Sequence, residues 1–182
     1  MTDDELRLSP VTAEADLAII EDLVDTPGGG EFAWFGFPRP GDHRRRWTEN
    51  GLLDPARSVL MVLRGDERLG FVSFRRKDGF HGAWYWEMGI GLVSSARGKG
   101  YGTIAQRMLV GYLFTHSPAH RIEADTELEN VAEQRALEKA GFTREGVIRQ
   151  VVWRNGAWRD GVIYSILRAE YHGAASRHSA TP

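Results

Sequence analysis

The chain has no cysteine. That rules out a disulfide framework, a thiolate nucleophile and any cysteine-ligated metal site. Long apolar runs are also missing: none approaches the roughly 18 residues that a membrane span needs. There is no basic excess. Twenty-three Lys and Arg stand against 25 Asp and Glu, for a net charge of −2, which argues against a general nucleic-acid binder. The short run Arg44-Arg45-Arg46 reads as a solvated helix face. His43, His81, His116 and His120 are scattered without metal-ligand spacing, so no metal is expected. The first five residues, Met1 to Glu5, are acidic and carry no signal-peptide pattern. The expectation is a cytoplasmic protein with neither membrane nor nucleic acid as partner.

What is present is enough for a core. The 182 residues are 42% apolar, which suits one domain without staples. That domain is expected over residues 1–171. The tail from His172 to Pro182 is small and polar and is expected to be disordered. No internal repeat occurs.

Patterning gives the elements. Leu6, Leu8 and Pro10 alternate with polar residues as a short first strand. Thr12 is a candidate cap for a helix over Ala13 to Asp25, which Pro27-Gly28-Gly29-Gly30 stops. Gly41 to Leu53 reads as a polar helix with Asp42 as a candidate cap. Ser58 to Leu63 and Leu69 to Arg75 form a hairpin across Gly65-Asp66-Glu67-Arg68. Ala83 to Val93 is a long strand. Ile104 to Phe114 has one apolar helix face, His120 to Thr126 is a strand, and Glu133 to Ala140 is a helix ended by Gly141. Val147 to Trp153 and Val162 to Leu167 close the chain around the hairpin signal Asn155-Gly156.

The informative stretch is Ser94 to Thr103. A strand leads in, a helix leads out, and three glycines lie between. Such a turn brings backbone N–H groups and a positive helix end against an anion. It is not a P-loop, because Gly100 follows Lys99 where Ser or Thr should stand. Nor is it the dinucleotide fingerprint, whose spacing is GxGxxG. Arg97-Gly98-Lys99-Gly100-Tyr101-Gly102 instead resembles the acyl-CoA pyrophosphate loop of the GNAT N-acetyltransferase superfamily. Asn130 to Phe142 resembles the family's second signature, with Gly141-Phe142 at its end. The resemblance covers at least Leu69 to Glu170. It is nearest to the branch of ribosomal-protein N-terminal and small-molecule N-acetyltransferases.

The resemblance implies an α+β fold: a central mixed, mostly antiparallel sheet with one splayed strand pair and helices on both faces. It implies acetyl-CoA as co-substrate, with a primary amine as acceptor, on a small molecule or a peptide N-terminus. Homodimers are common among such proteins, so a homodimer is one of the states left open. Backbone at Ile90 and Leu92 would face the pantetheine arm. Gly98 to Thr103, including Gly100, Tyr101 and Gly102, would hold the pyrophosphate, with charge from Arg97 and Lys99. Asn130 matches the residue that bonds the pantetheine region or orders the end of the splay, and it also reads as a plain helix N-cap. Arg135 and Lys139 could reach the 3′-phosphate or adenine, or be solvated helix-surface charges.

Acyl transfer to an amine needs a neutral nucleophile, a stabilised oxyanion and a proton for the leaving thiolate. No covalent enzyme intermediate is needed when both substrates are held together. Glu87, between Trp86 and Met88, is the candidate base, because apolar neighbours raise a carboxyl pKa. The alternative is an ion pair with Arg75. Glu31 and Asp160 are reserves, Asp160 more in keeping with a structural role in the family. The aromatic stretch Glu31 to Phe37, notably Phe32, Trp34 and Phe35, with Trp86, is the candidate acceptor wall. Two departures from the family stand out: Glu133 replaces a common serine and Leu137 a common tyrosine acid. They keep open a second reading, a CoA-binding module without transferase activity. A third is a nucleotide binder.

Overall fold

The computed structural model describes residues 5–36, 39–54 and 57–171. Phe37 of the aromatic stretch and the tail from His172 lie outside the described residues. Seven strands form one sheet in the order β1-β2-β3-β4-β5-β7-β6. They are β1 (Leu6–Ser9), β2 (Ser58–Arg64), β3 (Glu67–Asp78), β4 (Trp84–Leu92), β5 (Arg121–Glu127), β6 (Thr143–Arg154) and β7 (Ala157–Leu167). Every neighbouring pair is antiparallel except β4–β5. Among the described residues, four α-helices accompany the sheet: α1 (Glu14–Asp25), α2 (Asp42–Asn50), α3 (Tyr101–His116) and α4 (Val131–Ala140). None of them is long and apolar enough to cross a membrane.

The strands are longer than their apolar patterns. β3 runs through Arg75 and Arg76 to Asp78, and β6 starts at Thr143, because their outer halves are exposed and carry no core alternation. α1 is capped differently from the expectation. Ala13 is the cap position, and the buried Asp16 carboxylate accepts from the backbone N–H of Thr12 and Ala13, each at 3.0 Å. Gly41, in the left-handed region, precedes Asp42 at the start of α2.

β2 is buried on both sides, and its side chains alternate between two cores. Leu60 and Val62 join Val72, Phe74 and Met88 beneath Leu109 and Leu113 of α3 and Leu137 of α4. Val59, Met61 and Leu63 join Leu17 and Ile20 of α1 on the opposite face. Helices therefore cover both faces of the sheet, as the mixed-sheet expectation required.

The feature that positions the site is a fork. β4 and β5 pair only at Trp86 with Ile122, Glu87 with Glu123 and Met88 with Ala124. Beyond Met88, β4 continues to Leu92 against β3. Beyond Ala124, β5 continues to Glu127 against β7. Alternate backbone groups of Gly89 to Leu92 on the β5 side thus have no strand partner. Asn130 holds one arm of the fork. Its Nδ2 donates to Thr126 Oγ1 at 3.0 Å, while its Oδ1 caps α4 by accepting from the Glu133 N–H at 3.3 Å.

Candidate active site

The fork opens into a cleft of about 610 Å³. Its walls are Met88 to Leu92 of β4, Ala124 to Thr126 of β5, the loop and first turn of α3, one side of α4, and Gly29 to Ala33.

At one end lies the glycine turn. Gly98 and Gly100 have φ of +71° and +83°, and a Cβ at either would meet open space. Backbone conformation, not crowding, selects glycine there. The 16-residue helix α3 starts at Gly100 without a side-chain cap. Its first N–H groups therefore face the cleft with nothing but solvent or ligand to bond. Gly102 and Thr103 line this end, and Arg135 and Lys139 of α4 face it. Lys99 is exposed and is not on the wall. Tyr101 turns away: its hydroxyl bonds Arg64, whose guanidinium sits 5.4 Å from the ring centroid.

Arg97 has a structural task. Its Nε donates to the Leu92 carbonyl at 2.9 Å and its Nη2 to the Gly29 carbonyl at 2.6 Å. Across the cleft, buried Arg154 forms a two-pronged pair with buried Glu127, both contacts 2.7 Å. The Arg154 guanidinium also lies 4.9 Å from the Phe32 ring and 3.6 Å from Glu31. Residues 29–32 are thus strapped over the open end of the fork, tied to the β4 arm by Arg97 and to the β5 arm by Arg154.

Of the acceptor-wall candidates, the structure brings Glu31 and Phe32 to the cleft. Trp34, exposed Phe35 and Trp86 are not on its wall. Trp86 points to the α3 side, where its Nε1 donates to Ser117 Oγ at 2.8 Å and its ring packs edge-on against Phe74. Strand alternation accounts for this, since Trp86 shares a face with Met88 and Ile90.

Glu87 is buried, but not among apolar groups as expected. Arg75 Nε contacts Oε1 at 2.7 Å and Lys77 Nζ contacts Oε2 at 2.5 Å, both from β3. It does not line the cleft. This is the ion-pair alternative, and a base role would first require both pairs to break. Asp160 also has a local task, accepting from the Gln150 N–H at 2.8 Å where β6 bulges.

Two carboxyls to which the sequence reading gave no catalytic role stand on the cleft wall instead. Asp125 is the first residue of β5 past the fork point. Its carboxylate makes no hydrogen bond or ion pair among the described residues. Asp125 is open to solvent on the cleft side, and partial desolvation by the surrounding wall, then the Glu87 charge, raises its pKa above the ordinary carboxylate value. Alternation with Ile122, Ala124 and Thr126 could have placed it on a face, but only the pairing shows that it opens into the fork. Glu133, in the first turn of α4, accepts from Gln106 Nε2 at 2.6 Å. Burial pushes its pKa up to about 7, with the Gln106 bond opposing. Gln106 is fully buried, and its Oε1 has no hydrogen-bond partner among the described residues.

The tyrosines do not supply an acid here. Tyr85 stacks near Arg121, Tyr164 is fully buried with its hydroxyl 3.1 Å from Glu138, and none lines the cleft. Leu137 is fully buried in the core.

Comparison with known proteins agrees with this geometry. The acetyltransferase (GNAT) domain family matches residues 5–143. The chain belongs to that family. An uncharacterised N-acetyltransferase p20 of Bacillus licheniformis is 32% identical over 117 residues, 64% of this chain and 65% of that protein. A probable N-acetyltransferase YjcK of Bacillus subtilis is 43% identical over 58 residues, 32% of each chain. The chain thus spans about two-thirds of the first relative and a third of the second. A putative acetyltransferase structure from T. thermophilus matches with a TM-score of 0.69 at 31% identity, over 96% of this chain and 92% of that one. The spermidine N-acetyltransferase of Vibrio cholerae, solved with CoA and spermine, shares the fold. Its TM-score is 0.76 at 22% identity, over 94% of this chain and 99% of that one.

Proposed function

We propose that the protein is an N-acetyltransferase that passes acetyl from acetyl-CoA directly to a primary amine, on a small molecule or a peptide N-terminus, in a ternary complex. One observation carries the reading: an uncapped helix N-terminus and an open strand fork face the same cleft. The first accepts a pyrophosphate on backbone N–H groups. The second offers unpaired strand groups to an amide-bearing arm, which would lie along β4 like an added strand. Gly98 to Thr103, without the side chains of Lys99 and Tyr101, would hold the phosphates. Arg135 and Lys139 would supply positive charge. Backbone at Gly89 to Leu92 would position the thioester, and an N–H there would meet the developing oxyanion.

The base is reassigned from Glu87 to Asp125. Asp125 stands at the fork point without a direct ion pair among the described residues, Lys77 and Arg75 acting on it only from a distance, and a cationic amine would fill that place. Its raised pKa suits proton acceptance better than a doubly paired carboxylate does. The amine would enter beneath the strap, past Glu31 and Phe32. The Vibrio cholerae protein of the same fold, which holds CoA and spermine together, supports a small-molecule amine and a shared binding event.

The test pairs binding with turnover. Acetyl-CoA at about 100 times its Kd adds roughly 2.7 kcal/mol to folded stability, about 5–10 °C in Tm for a chain of this size. ATP should give no such shift. Thiol release is then measured across a panel of amines, with no background from the protein, which has no cysteine. A shift with release for some amine is expected. A shift with no release for any amine would favour the binding module, and no shift would end the CoA reading.

A further inference from the structure

We infer that Glu133 is the proton donor to the departing CoA sulfur, and that Gln106 positions it. The inference rests on the transferase reading above. Three observations lead to it. The Glu133 carboxyl lines the same cleft as the fork, one turn into α4 from the Asn130 cap. Its one side-chain partner is a neutral amide on the neighbouring helix, with Gln106 Nε2 at 2.6 Å. That amide is wholly buried and leaves its own Oε1 without a partner. A buried glutamine with an idle oxygen is costly unless its orientation matters. A half-turn of this amide would present Oε1 to a protonated Glu133, so the pair can hold the carboxyl in either protonation state.

The other charged groups on the cleft are Glu31 of the strap, Arg97, Asp125 on β5, and Arg135 and Lys139 on α4 itself. None forms an ion pair or hydrogen bond with Glu133 among the described residues. Without a cation to hold it ionised, burial keeps the carboxyl protonated up to about pH 7. A donor is needed because no tyrosine lines the cleft and Leu137 is sealed in the core.

The step balances. The amine, once its ammonium proton has passed to solvent, bonds the acetyl carbon through nitrogen as a second proton passes to Asp125. The C–S bond breaks with its electron pair going to sulfur, and sulfur takes the Glu133 proton. Solvent then returns a proton to Glu133 and removes one from Asp125.

The experiment needs no turnover. CoA is bound to the protein and its thiol is titrated through the ultraviolet thiolate band. The protein contributes no thiolate of its own. Beside Glu133 the bound thiol should titrate above its value in Glu133→Gln, where no carboxylate forms, by about one unit or more. The glutamine variant keeps a hydrogen bond to Gln106, and its unfolding curve reports whether the fold survives. In turnover, Glu133→Gln should lower kcat by about 10²-fold with KM for acetyl-CoA unchanged. It should also remove the loss of rate as pH rises through about 7. Gln106→Leu should lower kcat while leaving that limb in place but displaced. Bound CoA whose thiol titrates identically in both proteins would overturn the Glu133 assignment alone. Failure of CoA to bind would overturn the transferase reading with it.

Discussion

Arg97 and Gly29 tie the β4 arm of the fork to the strap over it. The Arg97 guanidinium follows β4, yet it donates to the Gly29 carbonyl at 2.6 Å and to the Leu92 carbonyl at 2.9 Å. An arginine that the family motif assigns to phosphate charge thus holds the strap as well. Arg97→Lys keeps the charge but cannot reach two carbonyls with a fixed fork. It should raise KM for the amine more than KM for acetyl-CoA. Equal effects on both, measured by steady-state kinetics, would return Arg97 to a purely electrostatic role.

Asp125 and Glu87 make opposite predictions. Asp125→Asn should lower kcat by about 10²- to 10⁴-fold, and acetyl-CoA should still raise Tm. Glu87→Gln should mainly cost stability, because it leaves Arg75 and Lys77 without their shared carboxylate. Kinetics and unfolding on both variants separate the roles. A large kcat loss in Glu87→Gln with Asp125→Asn active would restore the first assignment.

What was legible in the sequence was what backbone geometry dictates. Gly98 and Gly100 sit where left-handed φ is required, so the spacing alone located the turn. The fork came only through resemblance, since nothing in Gly89 to Leu92 says where pairing stops. Asp125 was hidden for that reason. The apolar setting expected for Glu87 failed for another reason. Its apolar sequence neighbours, Trp86 and Met88, point to the other face of β4, and its real neighbours are one strand away at Arg75 and Lys77. Trp86 was lost from the acceptor wall by the same alternation. Glu133 was visible as a departure from the family pattern, but its meaning depends on Gln106, 27 residues earlier.

The two glycines flanking Tyr101 should behave differently. Gly100→Ala forces an L residue into φ +83° and should cost about 1 kcal/mol while weakening acetyl-CoA binding. Gly102 lies within α3, and a Cβ there would meet Leu92 Cδ1 at 3.6 Å, an ordinary contact. Gly102→Ala should therefore leave Tm unchanged or raise it. Unfolding scans with and without acetyl-CoA check both.

Glu133 should also set a pH dependence of stability. Its folded pKa of about 7 lies above the ordinary 4.5. Between those values the folded chain keeps a proton that the unfolded chain has released. Stability therefore falls as pH rises across that window, by up to about 3 kcal/mol. Glu133→Gln has no such proton to keep. Its urea midpoint should lose less than the parent's between pH 5 and 8, and parallel curves would place Glu133 in a more solvated setting.

The Arg154–Glu127 pair lets stability and strap position be separated. Both side chains are buried. Arg154→Met leaves the Glu127 carboxylate buried without a partner, and breaking such a pair costs about 3–5 kcal/mol. It also removes the cation from the Phe32 ring and from Glu31, which should raise KM for the amine. Adding Glu127→Leu should recover much of the stability, because the stranded charge is gone. It should not recover the strap, because Phe32 still lacks its guanidinium. The double variant is therefore expected to unfold near the parent's midpoint while keeping the raised KM for the amine. If KM recovered along with stability, the strap would owe its place to packing alone, and Arg154 would have no part in shaping the acceptor side.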